Sequence, residues 1–481
     1  MRLTNVSQMQ VQPGRLYTLP VCAQMPEGQP VLRLPVSFDQ DRHVSAGSRP
    51  GSWMAVAFCL PIPADRQAIA QAWAQVIRRH GTLRSVFTWK DPHDNDAGEP
   101  SPQNPRLSGG PESRLYLTAA EITLGAWQEL SDSGPQSADA IRACLGSHFD
   151  RVCRSFGAPS HRLCLIEDEA EGRTPQVVIG SDHAHVDAWS LLVLVRDVTE
   201  CVQDVLAGRP AGDRLPPAEP FAAHTHQMEN QLLPPDEVTS RWSDILAAGG
   251  GSMPRFPLDL GDVSAPVEEI VEIRDVFDSE ELAHVETHAA EQQVRLIAVA
   301  VSVMTRLAAE LSGEPFRAVF PVHSRHDPRW FDSVGWFITN SVLENHQDDY
   351  QGAYAAVKEA IGLGSYAMAP IMRPYGGMPQ DPGMFAMSWL DHRKLPVNVA
   401  EELNPQHVSA VSRTDGVMIW FVINQTGLHL RCRYPNTRQA RRSMRTWLAG
   451  LVYGLRAPLE QAALPALRAD PPGQKFSRNT G

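Results

Sequence analysis

The side chains of this protein best suited to chemistry stand in one short run, Asp182-His183-Ala184-His185-Val186-Asp187-Ala188-Trp189-Ser190. Imidazole titrates near neutrality, so a positioned histidine can take a proton from an alcohol or amine as it attacks a carbonyl. Three readings fit the run. The first is a metal site of the pattern His-x-His-x-Asp. That pattern needs another histidine directly after the aspartate, and position 188 is alanine. The second is local structure alone, with the histidines bonded to backbone at a strand end and Asp187 capping the helix that follows. The third is general-base catalysis of acyl transfer by His183, with Asp187 fixing the loop that presents the ring. Asp182 stands beside His183. If close it raises the imidazole's pKa, and if turned to solvent it does not.

The elements needed to aim such a run can be read on either side of it. Residues 162–168 and 176–180 are apolar runs joined by the polar turn 169–175, and predict a strand pair that ends at Gly180, just before the run. After the run, Leu191, Leu194, Val195, Val198, Val202 and Val205 recur at helical spacing. Upstream, 53–60 reads as a buried strand, 64–80 as an amphipathic helix, 90–113 as a long polar loop, 114–119 as a strand and 137–149 as a helix. Downstream, strands are predicted at 269–277, 316–320, 385–390, 417–424 and 428–434. Helices are predicted at 279–291, 296–311 and 437–455, and Asp278 with Glu281 forms a capping box on the first of them. Composition breaks at 207–220 and 247–254 divide the chain. The expected layout is an N-terminal lobe at 1–220 carrying the histidine motif, a linker at 221–264, a C-terminal lobe at 265–468 and a disordered tail at 469–481. Mixed strands and helices in two units give an α/β or α+β fold.

The 481 residues carry 55 acidic and 43 basic side chains, a formal charge of −12. A spread acidic excess argues against a nucleic-acid partner, whose phosphates call for basic surfaces. Seven cysteines, at 22, 59, 144, 153, 164, 201 and 432, include no CxxC pair and form neither a zinc nor a disulfide framework. The first residues read as no signal peptide, and the greasiest stretch, 296–311, is too short to span a bilayer. A cytoplasmic protein is expected. Arg438, Arg441, Arg442 and Arg445 fall on the first turns of the last helix, as a solvated basic face or as a site for an acidic carrier protein or coenzyme A phosphates.

Several segments, in order along the chain, resemble the condensation-domain superfamily, which includes chloramphenicol acetyltransferase, peptide-synthetase condensation domains and the actinobacterial PapA-type acyltransferases. Arg79-His80-Gly81-Thr82-Leu83-Arg84-Ser85-Val86-Phe87 resembles RHxxLRTxF, and Asp182–Ser190 resembles HHxxxDGxS. Pro321-Val322-His323-Ser324-Arg325 resembles PxxxR, and Val334-Gly335-Trp336-Phe337-Ile338-Thr339-Asn340 resembles VGxFxN in its PapA-type form. Phe256-Pro257-Leu258 and Met387-Ser388-Trp389-Leu390-Asp391 also resemble the PapA-type branch, and Glu219–His224 adds a fainter echo of the family's next segment. The likeness runs from about Pro35 to about Leu455, with Asp182 in place of the first motif histidine and Ala188 in place of the glycine. It implies two chloramphenicol-acetyltransferase-like lobes with the active site in a tunnel between them. His183 would be the base. Asp187 would be held by Arg325 in two parallel hydrogen bonds, and Trp336 and Asn340 would line the tunnel. The implied co-substrate is an acyl thioester, on coenzyme A or on the phosphopantetheine arm of an acyl carrier protein, with no tightly bound cofactor and no metal. The acceptor would be an alcohol, and the product an ester in lipid or secondary-metabolite biosynthesis. The alternatives are a free-standing condensation enzyme joining an amine as an amide, a catalytically degenerate docking platform, and a metallo-hydrolase.

Overall fold

The computed structural model describes residues 2–24, 32–89, 115–130, 134–156, 158–168 and 174–466. The predicted loop 90–113, most of the turn 169–175 and the tail 469–481 lie outside them.

Two seven-stranded sheets organise the chain. The first runs Arg2–Asn5, Gln406–Ser409, Trp53–Cys59, Gln176–Asp182, His161–Glu167, Arg15–Leu19 and Gln128–Glu129. Its central strands are apolar on both faces because both are covered. Val56, Phe58, Leu163, Leu165, Val177 and Ile179 meet the helices Arg66–Arg79 and Ala188–Leu206, whereas Ala55, Ala57, Cys164, Ile166 and Val178 meet Ala138–Val152. Successive side chains alternate between the two cores, as the pleat dictates. The second sheet runs Ile338–Asn345, Phe316–His323, Phe385–Asp391, Val417–Asn424, Gly427–Pro435, Val267–Asp278 and Arg413–Thr414. The helices Leu296–Ser312 and Arg438–Ala466 cover it, and Trp447 packs between Phe256 and Phe385.

The strands and helices predicted from periodicity are present, with ends shifted by a few residues except the last helix, which runs on to Ala466. Asp278 and Glu281 form the capping box. Two features differ from the expected layout. The stretch 221–264 contains the helices Phe221–Glu229 and Asp236–Ala248, anchored by buried Phe221 and Trp242. Residues 406–409, inside the range expected for the second lobe, cross over and pair with Arg2–Asn5 and Trp53–Cys59 in the first sheet. The four helix arginines are exposed while Ala440, Met444 and Trp447 face the core. No helix among the described residues is long and apolar enough to cross a membrane.

Candidate active site

The strand Gln176–Asp182 pairs with Trp53–Cys59 and delivers its last residue, Asp182, opposite Trp53. A single 3-10 turn, His183–His185, then connects to the helix Ala188–Leu206. The turn forms because Asp182 Oδ1 accepts the Ala184 N–H at 2.9 Å, a capping bond in miniature. The helix starts because Asp187 Oδ1 accepts the Ser190 N–H at 2.7 Å.

Across the gap between the sheets, Arg325 meets Asp187. Arg325 Nη2 lies 3.2 Å from Asp187 Oδ1 and 3.4 Å from Oδ2, with both side chains sealed from solvent. One nitrogen reaches both oxygens, and Arg325 Nε is unpartnered, so the expected pair of parallel bonds is not formed. The reason lies in the other demands on the guanidinium. Nη1 donates to the carbonyls of Trp330 and Ser333 at 2.5 and 2.7 Å, and Nη2 also donates to Ser190 Oγ at 2.8 Å. Asp187 Oδ2 in turn accepts the Phe337 N–H at 3.0 Å, so this carboxylate both caps its helix and binds the other sheet.

The remaining motif segments close around the same joint. Ser190 Oγ donates to the Gly335 carbonyl and accepts its N–H. Thr82 Oγ1 donates to the Val334 carbonyl at 2.6 Å, and Trp189 Nε1 donates to the Phe331 carbonyl at 3.0 Å. Arg79, His80 and Arg196 converge on the buried carboxylate of Asp197, which ties the helix Arg66–Arg79 to Ala188–Leu206. Gly335 is required by close packing. A Cβ there would lie 2.4–2.6 Å from atoms of Phe221, the aromatic of the faint Glu219–His224 segment.

Three imidazoles surround the loop, and their nitrogens differ in what they are free to do. His185 Nδ1 meets Ser160 Oγ at 2.7 Å, its Nε2 is sealed from solvent, and burial pushes the ring down to about 4. His43, on the short helix Phe38–Ser45, has Nε2 3.1 Å from Asp182 Oδ1 and Nδ1 3.2 Å from Arg49 Nη2. His183 is half-buried, and its Nδ1 is enclosed with no partner from another residue. Among the described residues its Nε2 has no hydrogen-bond partner, and it is not one of the enclosed, unpartnered atoms. Burial holds the His183 pKa below its ordinary value, while its own backbone carbonyl, Asp182 and Asp187 act the other way. The Trp336 ring stacks on it at 4.2 Å with a 29° tilt. Asn340 pairs with Pro321 on the neighbouring strand, and no contact links it to His183 or Trp336 among the described residues.

Asp182 neither faces solvent nor lifts the His183 pKa above its ordinary value. It is wholly buried, with Oδ2 accepting Ser52 Oγ at 2.6 Å and Ser155 Oγ at 3.0 Å. Burial alone would raise its pKa, but the His43, Ser52 and Ala184 donors outweigh that and hold it at about 2. Four donors satisfy the carboxylate, so its charge is spent locally. His43 and Arg49 belong to no motif. The signal that could have found their element is Ser37 followed by Gln40, a capping box that the structure forms. Among the described residues, no group of three or more His, Cys, Asp or Glu side chains is arranged to hold a metal ion.

No protein-family profile matches the chain. By sequence it is 25% identical over 289 residues to acyltransferase PapA3 of Mycobacterium tuberculosis, a match covering 56% of this chain and 60% of PapA3. It is 22% identical over 456 residues to trehalose-2-sulfate acyltransferase PapA2 of the same species, covering 88% of this chain and 89% of that protein. By structure it is similar to PapA2 acyl transferase, with a TM-score of 0.79 at 18% identity over 95% of this chain and 99% of that one. The first condensation domain of the calcium-dependent antibiotic synthetase gives a TM-score of 0.63 at 13% identity, over 89% of this chain and 97% of that one. The two sheets are thus the two lobes of the chloramphenicol-acetyltransferase-like fold, and the chain is similar in sequence to PapA-type acyltransferases and in fold to them and to condensation domains.

Proposed function

We propose that this protein is an acyltransferase that moves an acyl group from a thioester to a hydroxyl, with His183 as general base. The observation that carries the reading is the state of the three imidazoles at the loop. The nitrogens of His43 are both bonded, those of His185 are bonded or sealed, and His183 Nε2 alone is left open. A His183 pKa held below its ordinary value keeps the ring neutral, and so able to accept a proton, at neutral pH.

In this mechanism the acceptor O–H gives its proton to His183 Nε2 as the oxygen bonds to the thioester carbonyl carbon. Collapse of the tetrahedral intermediate breaks the C–S bond, and the imidazolium returns the proton to the departing thiolate. Asp187 and Arg325 act as loop supports, holding the turn against the second lobe through the shared contacts with Ser190 and Phe337. Trp336 forms a wall of the reacting space. The donor thioester would be carried on coenzyme A or on a carrier protein's phosphopantetheine arm. The names of the curated relatives support acyl transfer, and the sugar acceptor in the name of PapA2 favours a hydroxyl over an amine. The test is to incubate the protein with acyl-coenzyme A and a panel of polyols and amines, following free thiol and product mass. Ester formation supports the proposal, and amide formation alone would replace the hydroxyl acceptor with an amine.

A further inference from the structure

The helix Phe38–Ser45 contributes nothing to the recognised motifs, yet it delivers polar side chains to the histidine loop. Its capping box is completed by Gln40, whose Oε1 accepts the Ser37 N–H while its Nε2 donates to the Ala184 carbonyl at 2.8 Å. One turn on, His43 enters with both ring nitrogens engaged. A guanidinium has N–H groups and no acceptor, so the contact between Arg49 Nη2 and His43 Nδ1 requires Nδ1 to be unprotonated. The ring proton therefore sits on Nε2 and is donated to Asp182. His43 is thereby a neutral imidazole of one tautomer, pinned at both ends. Its ring edge meets Trp336 at 5.2 Å and 75°, and Trp336, which also packs on the apolar groups around Ala184 and Phe337, makes its other ring contact among the described residues in the 4.2 Å stack on His183.

Building on the acyl-transfer reading, we infer that His43 is a positioning residue for His183. It is a spacer held between Arg49 and Asp182 that keeps Trp336 flat on the base and keeps the Asp182 carboxylate turned away from it. His43 has no nitrogen left to move protons, so its work is geometric. Its side chain is only 11% exposed, far less than an ordinary surface histidine and in keeping with a wedge.

The test compares His43→Ala with His43→Gln. A glutamine amide can donate N–H to Asp182 and accept from Arg49 with its carbonyl, reproducing the pinned tautomer without an ionisable ring. With acyl-coenzyme A and an alcohol, His43→Ala should lower kcat by about 10- to 100-fold, the scale of a misplacement near 1 Å, with KM for the thioester changed by less than about threefold. His43→Gln should recover kcat to within about fivefold of wild type. Turnover of His43→Ala within about twofold of wild type, or a folded His43→Gln as inactive as His43→Ala, overturns the assignment. A second readout needs no substrate. Diethylpyrocarbonate modification of His183, followed by peptide mass spectrometry, should be several-fold faster in His43→Ala and close to wild type in His43→Gln. If wild type transfers no acyl group, the functional reading fails. The modification rate then still decides the positioning role, and an unchanged rate at His183 refutes it. If His43→Ala does not fold, the His43→Gln outcomes decide alone.

Discussion

Replacing Asp187 by alanine is the perturbation whose cost the structure specifies most fully. The carboxylate accepts the Ser190 N–H, the Phe337 N–H and the Arg325 guanidinium, and nothing in that joint is open to water. Loss of the helix cap alone costs about 0.5–2 kcal/mol. Leaving the Arg325 charge buried without its counter-ion costs roughly 3–5 kcal/mol, a range that includes the bonds lost with it. Arg325 keeps the carbonyls of Trp330 and Ser333 and the Ser190 hydroxyl, which places the expected total within that range rather than above it. For a cooperative unit of about 150–250 residues, each kcal/mol is worth about 2–4 °C, so the melting temperature should fall by roughly 6–20 °C. Asp187→Asn keeps an acceptor for Ser190 and so spares the helix cap, but it still leaves the buried Arg325 without its counter-ion, and should cost about 3 kcal/mol, the lower end of the same range. The assay is urea unfolding followed by tryptophan fluorescence, with acyl transfer measured on the folded fraction. His183→Ala, in the same assay, should unfold like wild type. An Asp187→Ala protein within about 1 kcal/mol of wild type would show that the joint is not held by this pair, and the reasoning would fail.

Other outcomes follow from the same contacts. Gly335→Ala pushes a methyl into Phe221 and should destabilise by about 1–3 kcal/mol, with Phe221→Leu in the same chain recovering part of the loss; an additive double mutant would refute the clash. Asp182, held at about 2 against an ordinary 3.8, stabilises the fold fully above pH 4, and that stability is lost as pH falls through 2. Between pH 5 and pH 2, wild type should therefore lose about 2 kcal/mol more stability than Asp182→Asn in denaturant titrations, and equal losses would contradict the network. Because His183 must be neutral to act and its pKa is depressed, the acidic limb of kcat/KM should lie below pH 6.5, and a limb above that value would exclude it as the base.

How much could be read in advance depended on the range of the interactions. The strand–turn–helix around His183 was legible because its signals are local: apolar runs at 162–168 and 176–180, and leucines and valines at helical spacing from Leu191. The Asp187–Arg325 contact spans 138 residues and came from family likeness, since periodicity carries no information about pairing at that distance. Even so, the bond pattern differed, because Trp330, Ser333 and Ser190 compete for the guanidinium. The helix Phe38–Ser45 is too short to show a convincing period, and the contact of His43 with Asp182 bridges 139 residues. Asp182 was therefore legible as a departure from the motif, while the partners that make it a buried hub were not. The crossover strand Gln406–Ser409 has four residues, fewer than an alternation needs to stand out, and its place is set by edges offered from residues 2–5 and 53–59.

The most direct test of the account is the rate of thiol release by wild type and His183→Ala with one acyl-coenzyme A and one productive alcohol, at pH 7.5 and matched folded concentration. The account predicts an ester product from wild type and a rate lower by about two to four orders of magnitude in His183→Ala, with the melting temperature unchanged. Near-wild-type turnover by His183→Ala would contradict the assignment of the base. Failure of wild type to transfer acyl groups to any alcohol or amine, from coenzyme A or a carrier protein, would favour a docking platform that has kept the fold without its chemistry.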